Sequence, residues 1–283
     1  MNIGLVLSGG MAKGAYQIGA LKALETFIPM NEVKFISCAS VGVLNGYAYT
    51  TGKLSQAEEM WRNVCNDDAR LIVSQILRSS MLQQNINNLF SSELEFTRTF
   101  YASLLDFNHH TVVYKNLKSV KSEDVPKYLK ASVAMPIYNH AVTIDGISYF
   151  DGAMADNIPV FPLLKHSLDY IICIYFDDCS YIFENTYFDN KIVKLTFPCE
   201  SLLKQSLVLQ SSSIAQMIED GYNYTYYNLN AVFSQGYDNL DTVYQAIVYM
   251  NEKNRNAKLR ITGDVLVTNL NRVVQRLTKR KII

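Results

Sequence analysis

The chain has 283 residues, 49% of them apolar, and its 26 basic and 26 acidic side chains cancel. That length and apolar content suit a folded core on the scale of one large α/β domain and exclude a disordered chain. Zero formal charge removes the electrostatic footprint of non-specific nucleic-acid binding, so no nucleic-acid partner is expected.

In chain order, residues 2–7 predict a buried strand, residues 8–14 a glycine-rich loop, and residues 15–27 a helix with Leu21, Leu24 and Ile28 on one stripe. Residues 33–38 predict a second buried strand, which ends abruptly at Ser40 and passes into a helix over 41–49. Ser55 with Glu58 reads as a capping box for a helix running to about Val64, and residues 71–90 read as helical. Residues 99–117, rich in aromatic and β-branched side chains, predict two strands or a hairpin around a break at 106–110. A short helix over 125–133 follows. Residues 142–144 and 147–150 flank Asp145-Gly146, a strong hairpin signal. Residues 163–166 read as helical, 170–176 and 192–197 as two more buried strands, and everything beyond Cys199 as helical.

Strands interleaved with helices imply an α/β fold: a three-layer α/β/α arrangement with a mainly parallel or mixed central sheet and a helical C-terminal third. With no repeat or proline-rich linker, one domain over 1–283 is expected, with an α/β core to about 198 and a helical extension over about 199–283. In the last predicted helix Leu266, Leu270, Val273, Val274 and Leu277 form an apolar stripe, while Arg272, Arg276, Lys279, Arg280 and Lys281 crowd the other side and the tail. That pattern fits a peripheral membrane contact, and equally a helix packed on its own domain. Tyr222, Tyr224, Tyr226 and Tyr227 fit either a lipid-facing wall or helix packing.

Five cysteines without a CxxC pair support neither a disulfide framework nor a zinc site, and a reducing, cytoplasmic compartment fits them. The four histidines imply no metal: His109 and His110 would point apart on a strand, and His140 and His166 stand alone. No cofactor is expected. The longest strictly apolar run, 170–176, is far short of the roughly 18 to 20 residues of a membrane span. Residues 1–7 lead at once into Ser8-Gly9-Gly10 with no charged leader, so no signal peptide is expected.

Three explanations compete for the glycine-rich turn after the first strand. A dinucleotide fingerprint fails because Met11 follows Gly9 where a glycine is needed, and a phosphate loop fails because Ala15-Tyr16 follows Gly14. An anion hole remains, beside a simple structural turn: backbone N–H groups at a helix start can stabilise a developing oxyanion. Cys38-Ala39-Ser40-Val41-Gly42 sits where a nucleophile elbow would sit, with Gly42 as its second glycine. The alternative for Ser40 is a helix N-cap. Asp151-Gly152-Ala153 follows a strand and is followed by Asn157 and Pro159; its bland reading is a turn aspartate.

In this order these segments resemble the patatin-like phospholipase family. Leu7-Ser8-Gly9-Gly10-Met11-Ala12-Lys13-Gly14-Ala15-Tyr16 looks like its anion-hole loop, Ser40 matches its serine, and Asp151-Gly152-Ala153 matches its D-G-[A/G] motif. Ala131-Ser132-Val133-Ala134-Met135-Pro136 resembles the segment preceding that aspartate, so the resemblance covers about residues 2–197. It implies hydrolysis of lipid acyl esters by a dyad of Ser40 as nucleophile and Asp151 as base, with an oxyanion hole at Gly9, Gly10 and Met11. The substrate would be a lipid or another acyl ester, and the oligomeric state is left open. Lys13 corresponds to the family's basic loop residue, with a positioning or phosphate-facing role or, equally, a solvated surface place; Gly14 closes the loop.

Met11 stands where the family prefers a third glycine, which preserves the N–H donors provided that φ need not be positive. Cys38 replaces the elbow's first glycine and is expected to be buried and unreactive. Two other readings are an α/β-hydrolase triad of Ser40, Asp151 and His166, and a lipid-binding or regulatory protein in which Met11 blocks the hole.

Overall fold

The computed structural model describes residues 1–64, 71–72, 80–90, 96–136, 138–176, 186–197, 208–209, 211–255 and 279–283. It is a mixed α/β fold with a central sheet and flanking helices. Strand β1 (Ile3–Leu7) is buried along its whole length, as a strand covered on both faces should be, and leads through a 3-10 turn at Met11–Lys13 into helix α1 (Gly14–Phe27). Strand β2 (Val33–Cys38) runs into α2 (Val41–Thr50), and α3 (Leu54–Arg62) follows. A two-residue strand β3 (Leu71–Ile72) and helix α4 (Ser80–Leu89) precede β4 (Thr99–Asp106) and β5 (Thr111–Asn116). Helix α5 (Val125–Ala131), the hairpin β6 (Val142–Ile144) and β7 (Ile147–Asp151), strand β8 (Tyr170–Tyr175), helix α6 (Thr186–Asp189) and strand β9 (Ile192–Thr196) complete the core. Beyond it lie β10 (Val208–Leu209), α7 (Ser211–Val232), α8 (Leu240–Arg255) and β11 (Lys279–Ile282).

Among the described residues the central sheet has nine strands, seven of them in the order β11-β5-β4-β2-β1-β8-β9, with β7 joined to β4 and β6 to β7. Pairs β2–β1, β1–β8, β8–β9, β2–β4 and β5–β11 are parallel, whereas β4–β5, β4–β7 and β6–β7 are antiparallel. One face packs Leu5, Leu7, Ile36, Cys38 and Ile172 against α1, α2 and α7. The other packs Val6, Tyr101 and Cys173 under the segment that carries Val160 and Leu163. Helix α1 lies along α7 at backbone contact. A Cβ on Gly19 would fall 1.9 Å from the Ile218 carbonyl oxygen, and one on Gly221 would fall 2.2 Å from the Tyr16 carbonyl oxygen.

The register along β4 places the two strand ends that matter. Strand β5 occupies one edge of β4 over Tyr101–Asp106, so β2 and β7 share the other edge. They meet end to end. Strand β2 runs parallel to β4 and stops with Cys38 opposite Ala102, while β7 runs antiparallel and stops with Asp151 opposite Leu104. Two residues of a strand are about 7 Å, so the chain just after β2 and the last residue of β7 converge.

Several local expectations change. Helix α3 begins at Leu54 with Lys53 at its N-cap, so Ser55 and Glu58 form no capping box; Glu58 instead pairs with Lys22 and Arg62. Within 71–90 the first two residues are a strand paired with Val208–Leu209, because tertiary pairing overrides the helical pattern. His109 and His110 lie on the β4–β5 turn rather than a strand, and the His109 Nδ1 lies 2.8 Å from Asp106 Oδ2. Residues 161–165 form a 3-10 turn. The chain end is not helical: Lys279–Ile282 adds a parallel strand to β5 at the sheet edge. The apolar stripe from Leu266 to Leu277 lies outside the described residues. Among the described residues no helix is long and apolar enough to cross a membrane.

Candidate active site

Ser40 is the residue on which β2 turns into α2, with φ 52° and ψ −133°. A non-glycine residue there stores on the order of 1–3 kcal/mol of strain, which the surrounding contacts must hold. They do so on both sides: the Ala39 N–H donates to the Leu7 carbonyl at 3.0 Å, and the Val43 N–H donates to the Ser40 carbonyl at 2.8 Å. Gly42 lets the start of α2 sit on the end of β1, since a Cβ there would fall 2.7 Å from the carbonyl oxygens of Leu7 and Ser8.

The N-cap alternative for Ser40 does not apply, because its side chain makes no capping hydrogen bond. The hydroxyl instead stands near the Asp151 carboxylate, close enough to favour its charged form. Asp151 is 1% exposed, and its Oδ1 also accepts the Ala153 N–H at 2.9 Å, so the turn-aspartate geometry and the serine contact coexist. Burial pushes the Asp151 carboxyl up to about 7, against the opposing pull of the Ser40 hydroxyl and the Ala153 N–H, which favour the charged form.

The glycine-rich loop closes over this pair. A Cβ on Gly9 would lie 2.7 Å from Ser40 Cβ and 2.5 Å from Asn157 Oδ1, so only hydrogen fits between the loop and the serine. Asn157 Nδ2 in turn lies 3.4 Å from the Gly9 carbonyl. Gly10 lies against the Phe176 ring, and its carbonyl accepts the Lys13 N–H at 3.0 Å. Among the described residues, no carbonyl accepts from the N–H of Gly9, Gly10 or Met11, as befits the first donors of a helical segment. Met11 has φ 50°, so the proviso on its backbone is not met: it occupies the left-handed region with its side chain half-buried against the core. Lys13 is buried at 3% exposure, which removes the solvated-surface reading. Gly14 packs against Trp61 and Val41.

The histidine of the rival triad is elsewhere. His166 Nε2 lies 3.0 Å from the Tyr101 hydroxyl, its ring stacks on Phe35 at 4.1 Å, and both partners belong to the opposite face of the sheet. Burial and then the nearby Lys165 lower its pKa. Cys38 is buried and its thiol is raised well above its usual range by burial, as an unreactive core cysteine should be. The tyrosines divide: Tyr224 packs on Phe197, which packs on Phe176 above Gly10, while Tyr226 packs on Phe27 of α1 and Tyr227 is exposed. Phe176 and the polar pair Gln17 and Asn45 are the neighbours of the site that sequence reasoning missed. The one available signal was a lone amide in each of two apolar helices.

Residues 5–164, more than half of the chain, match the family described as patatin-like phospholipase. Two curated proteins named lysophospholipase NTE1, from Cryptococcus neoformans var. neoformans serotype D strains JEC21 and B-3501A, are each 27% identical over 186 residues, 61% of this chain. The chain spans 11% of the length of these relatives. Among solved structures the chain is similar to VipD from Legionella pneumophila, with 11% identity and a TM-score of 0.47 over 88% of this chain and 74% of that one. It is also similar to the type III effector protein ExoU, with 14% identity and a TM-score of 0.47 over 90% of this chain and 60% of that one.

Proposed function

The chain belongs to the patatin-like phospholipase family, and on that premise we propose that it hydrolyses lipid acyl esters through an acyl-serine intermediate on Ser40, with Asp151 as base. One observation carries this reading: a strained elbow serine that makes no capping bond to its own helix stands beside a buried carboxylate.

The chemistry follows from the surroundings. An ordinary aspartate is too weak a base for a serine hydroxyl, but one that burial raises to about 7 is poised near neutral pH. Ser40 Oγ attacks the ester carbonyl carbon as its proton passes to Asp151. The carbonyl oxygen becomes an oxyanion, which the N–H groups of Gly9, Gly10 and Met11, in the turn that leads into α1, stabilise. The carbon–oxygen bond to the alcohol then breaks, and the leaving alkoxide takes the proton from Asp151. Water repeats the sequence on the acyl-serine: Asp151 accepts its proton, hydroxide attacks, and Ser40 departs with that proton.

Because the curated relatives are named lysophospholipases, a lysophospholipid is the first lipid class to offer, beside a soluble short-chain ester. The test is labelling with a fluorophosphonate, mapping of the labelled residue, and hydrolysis assays on Ser40→Ala and Asp151→Asn. Labelling at Ser40 and loss of about 10² or more in rate in both folded variants supports the reading. Native protein that neither labels nor hydrolyses either ester overturns it.

A further inference from the structure

Helices α1 and α2 are apolar on their buried faces, yet each buries one amide completely: Gln17 in α1 and Asn45 in α2, both 0% exposed. Buried amides must be satisfied or they destabilise, and these two are satisfied by one another and by the loop of the candidate site. The Trp61 indole N–H donates to Asn45 Oδ1 at 3.0 Å. Asn45 Nδ2 donates to the Gly14 carbonyl and to Gln17 Oε1, both at 2.9 Å. Gln17 Nε2 donates to the Ser8 carbonyl at 2.8 Å.

The chain has a single polarity. Indole N–H can only donate, so Asn45 must turn its oxygen toward Trp61 and its nitrogen toward Gly14 and Gln17. Gln17 must then present its oxygen to Asn45, which leaves its nitrogen for Ser8, where a carbonyl can only accept. No amide can flip without breaking bonds at both of its ends.

The two carbonyls held in this way bracket the glycine-rich loop: Ser8 begins it and Gly14 ends it. The anchor, Asn45, belongs to the helix whose first turn follows Ser40. We propose that Gln17, Asn45 and Trp61 are positioning residues that fix the N–H groups of the Gly9–Met11 loop at a set distance from Ser40. This rests on the reading of Ser40 as nucleophile. The loop follows β1 and the serine follows β2, so no covalent link short of a full helix joins them; the amide chain supplies a direct one across the α1–α2 interface. A donor displaced by about 1 Å from the developing oxyanion loses up to about 10² in rate, so such a clamp acts on the chemical step more than on substrate binding.

The test uses Asn45→Leu, which cuts the chain at its centre, Gln17→Met, which releases only the Ser8 carbonyl, and Trp61→Phe, which removes only the terminal donor. For each, the labelled fraction after exhaustive fluorophosphonate treatment counts competent sites, and the labelling rate per competent site and the kcat and KM for a soluble ester report the chemistry. The expected result is kcat and labelling rate per competent site falling by about 10- to 100-fold in Asn45→Leu, less in Gln17→Met and least in Trp61→Phe, with KM nearly constant. If Asn45→Leu fails to fold, Gln17→Met carries the same test, since methionine keeps the shape of the side chain. Variants whose surviving sites label and turn over at the native rate, with only the number of sites reduced, overturn the proposal and leave the network purely structural. Native protein that does not label at Ser40 overturns the reading of the site itself, and the proposal with it.

Discussion

Ser40, just beyond the end of β2, and Asp151, the last residue of β7, come together although they are far apart in the chain, because β2 and β7 end against the same edge of β4. The carboxyl is raised to about 7 by burial, and only its charged form can take the serine proton. The kcat/KM for a soluble ester should therefore rise with pH and reach half its plateau near 7. A profile that is flat from pH 5.5 to 8.5 would remove Asp151 as the base.

The same group links pH to stability. The folded protein keeps this proton up to about 7, whereas an unfolded chain releases it near 3.9, so between those values the folded state binds more protons and stability falls as pH rises. Asp151→Asn removes the charged form and should raise the Tm at pH 8, by a stabilisation on the order of a few kcal/mol, with little gain at pH 4. Scanning calorimetry of both proteins at the two pH values measures the difference, and an equal or lower Tm at pH 8 counts against it.

His166 bonds to Tyr101 and stacks on Phe35, on the face of the sheet away from α1 and α2. His166→Ala should keep hydrolysis within a few-fold of the parent, against the ~10² to 10⁴ lost with a general base. A folded His166→Ala protein that falls as far as Asp151→Asn would restore the triad.

Met11 combines a left-handed backbone with a half-buried side chain beside the donors of the loop. Met11→Ala keeps the backbone strain and loses the packing, whereas Met11→Gly relieves the strain, so the glycine variant should be the more stable of the two by about 1 kcal/mol, a reversal of the usual order. Met11→Gly should also raise turnover of long-chain esters more than of acetate esters. Urea melts and a chain-length series measure the two effects; a fall in turnover for every ester means that the methionine is a required wall of the pocket.

Gly19 and Gly221 let α1 and α7 meet backbone to backbone. A Cβ at either position collides with a carbonyl that cannot rotate away, so Gly19→Ala and Gly221→Ala should each destabilise by roughly 1–3 kcal/mol, read as a lowered urea midpoint. Ordinary alanine behaviour in a helix, a slight stabilisation, would contradict this crossing.

What the sequence determined by itself was local. The run Ile3–Leu7 ahead of Ser8-Gly9-Gly10, the strand stopping before Ser40, and Asp145-Gly146 turning a hairpin toward Asp151 are all consequences of residues a few positions apart, and each is found where the pattern places it. Such patterns are legible because backbone preference and apolar period act over one or two turns. What only tertiary structure decided was register and contact between segments far apart in the chain. The offset of Cys38 and Asp151 along β4 is set by how three strands slide past one another, and no short window encodes it. The left-handed backbone of Met11 and the amide chain from Trp61 to Ser8 depend on surfaces that exist only once α1, α2 and α3 have packed. The strand Lys279–Ile282 was invisible for the same reason: a basic segment becomes a strand only when an open sheet edge at β5 offers its unpaired N–H and C=O groups.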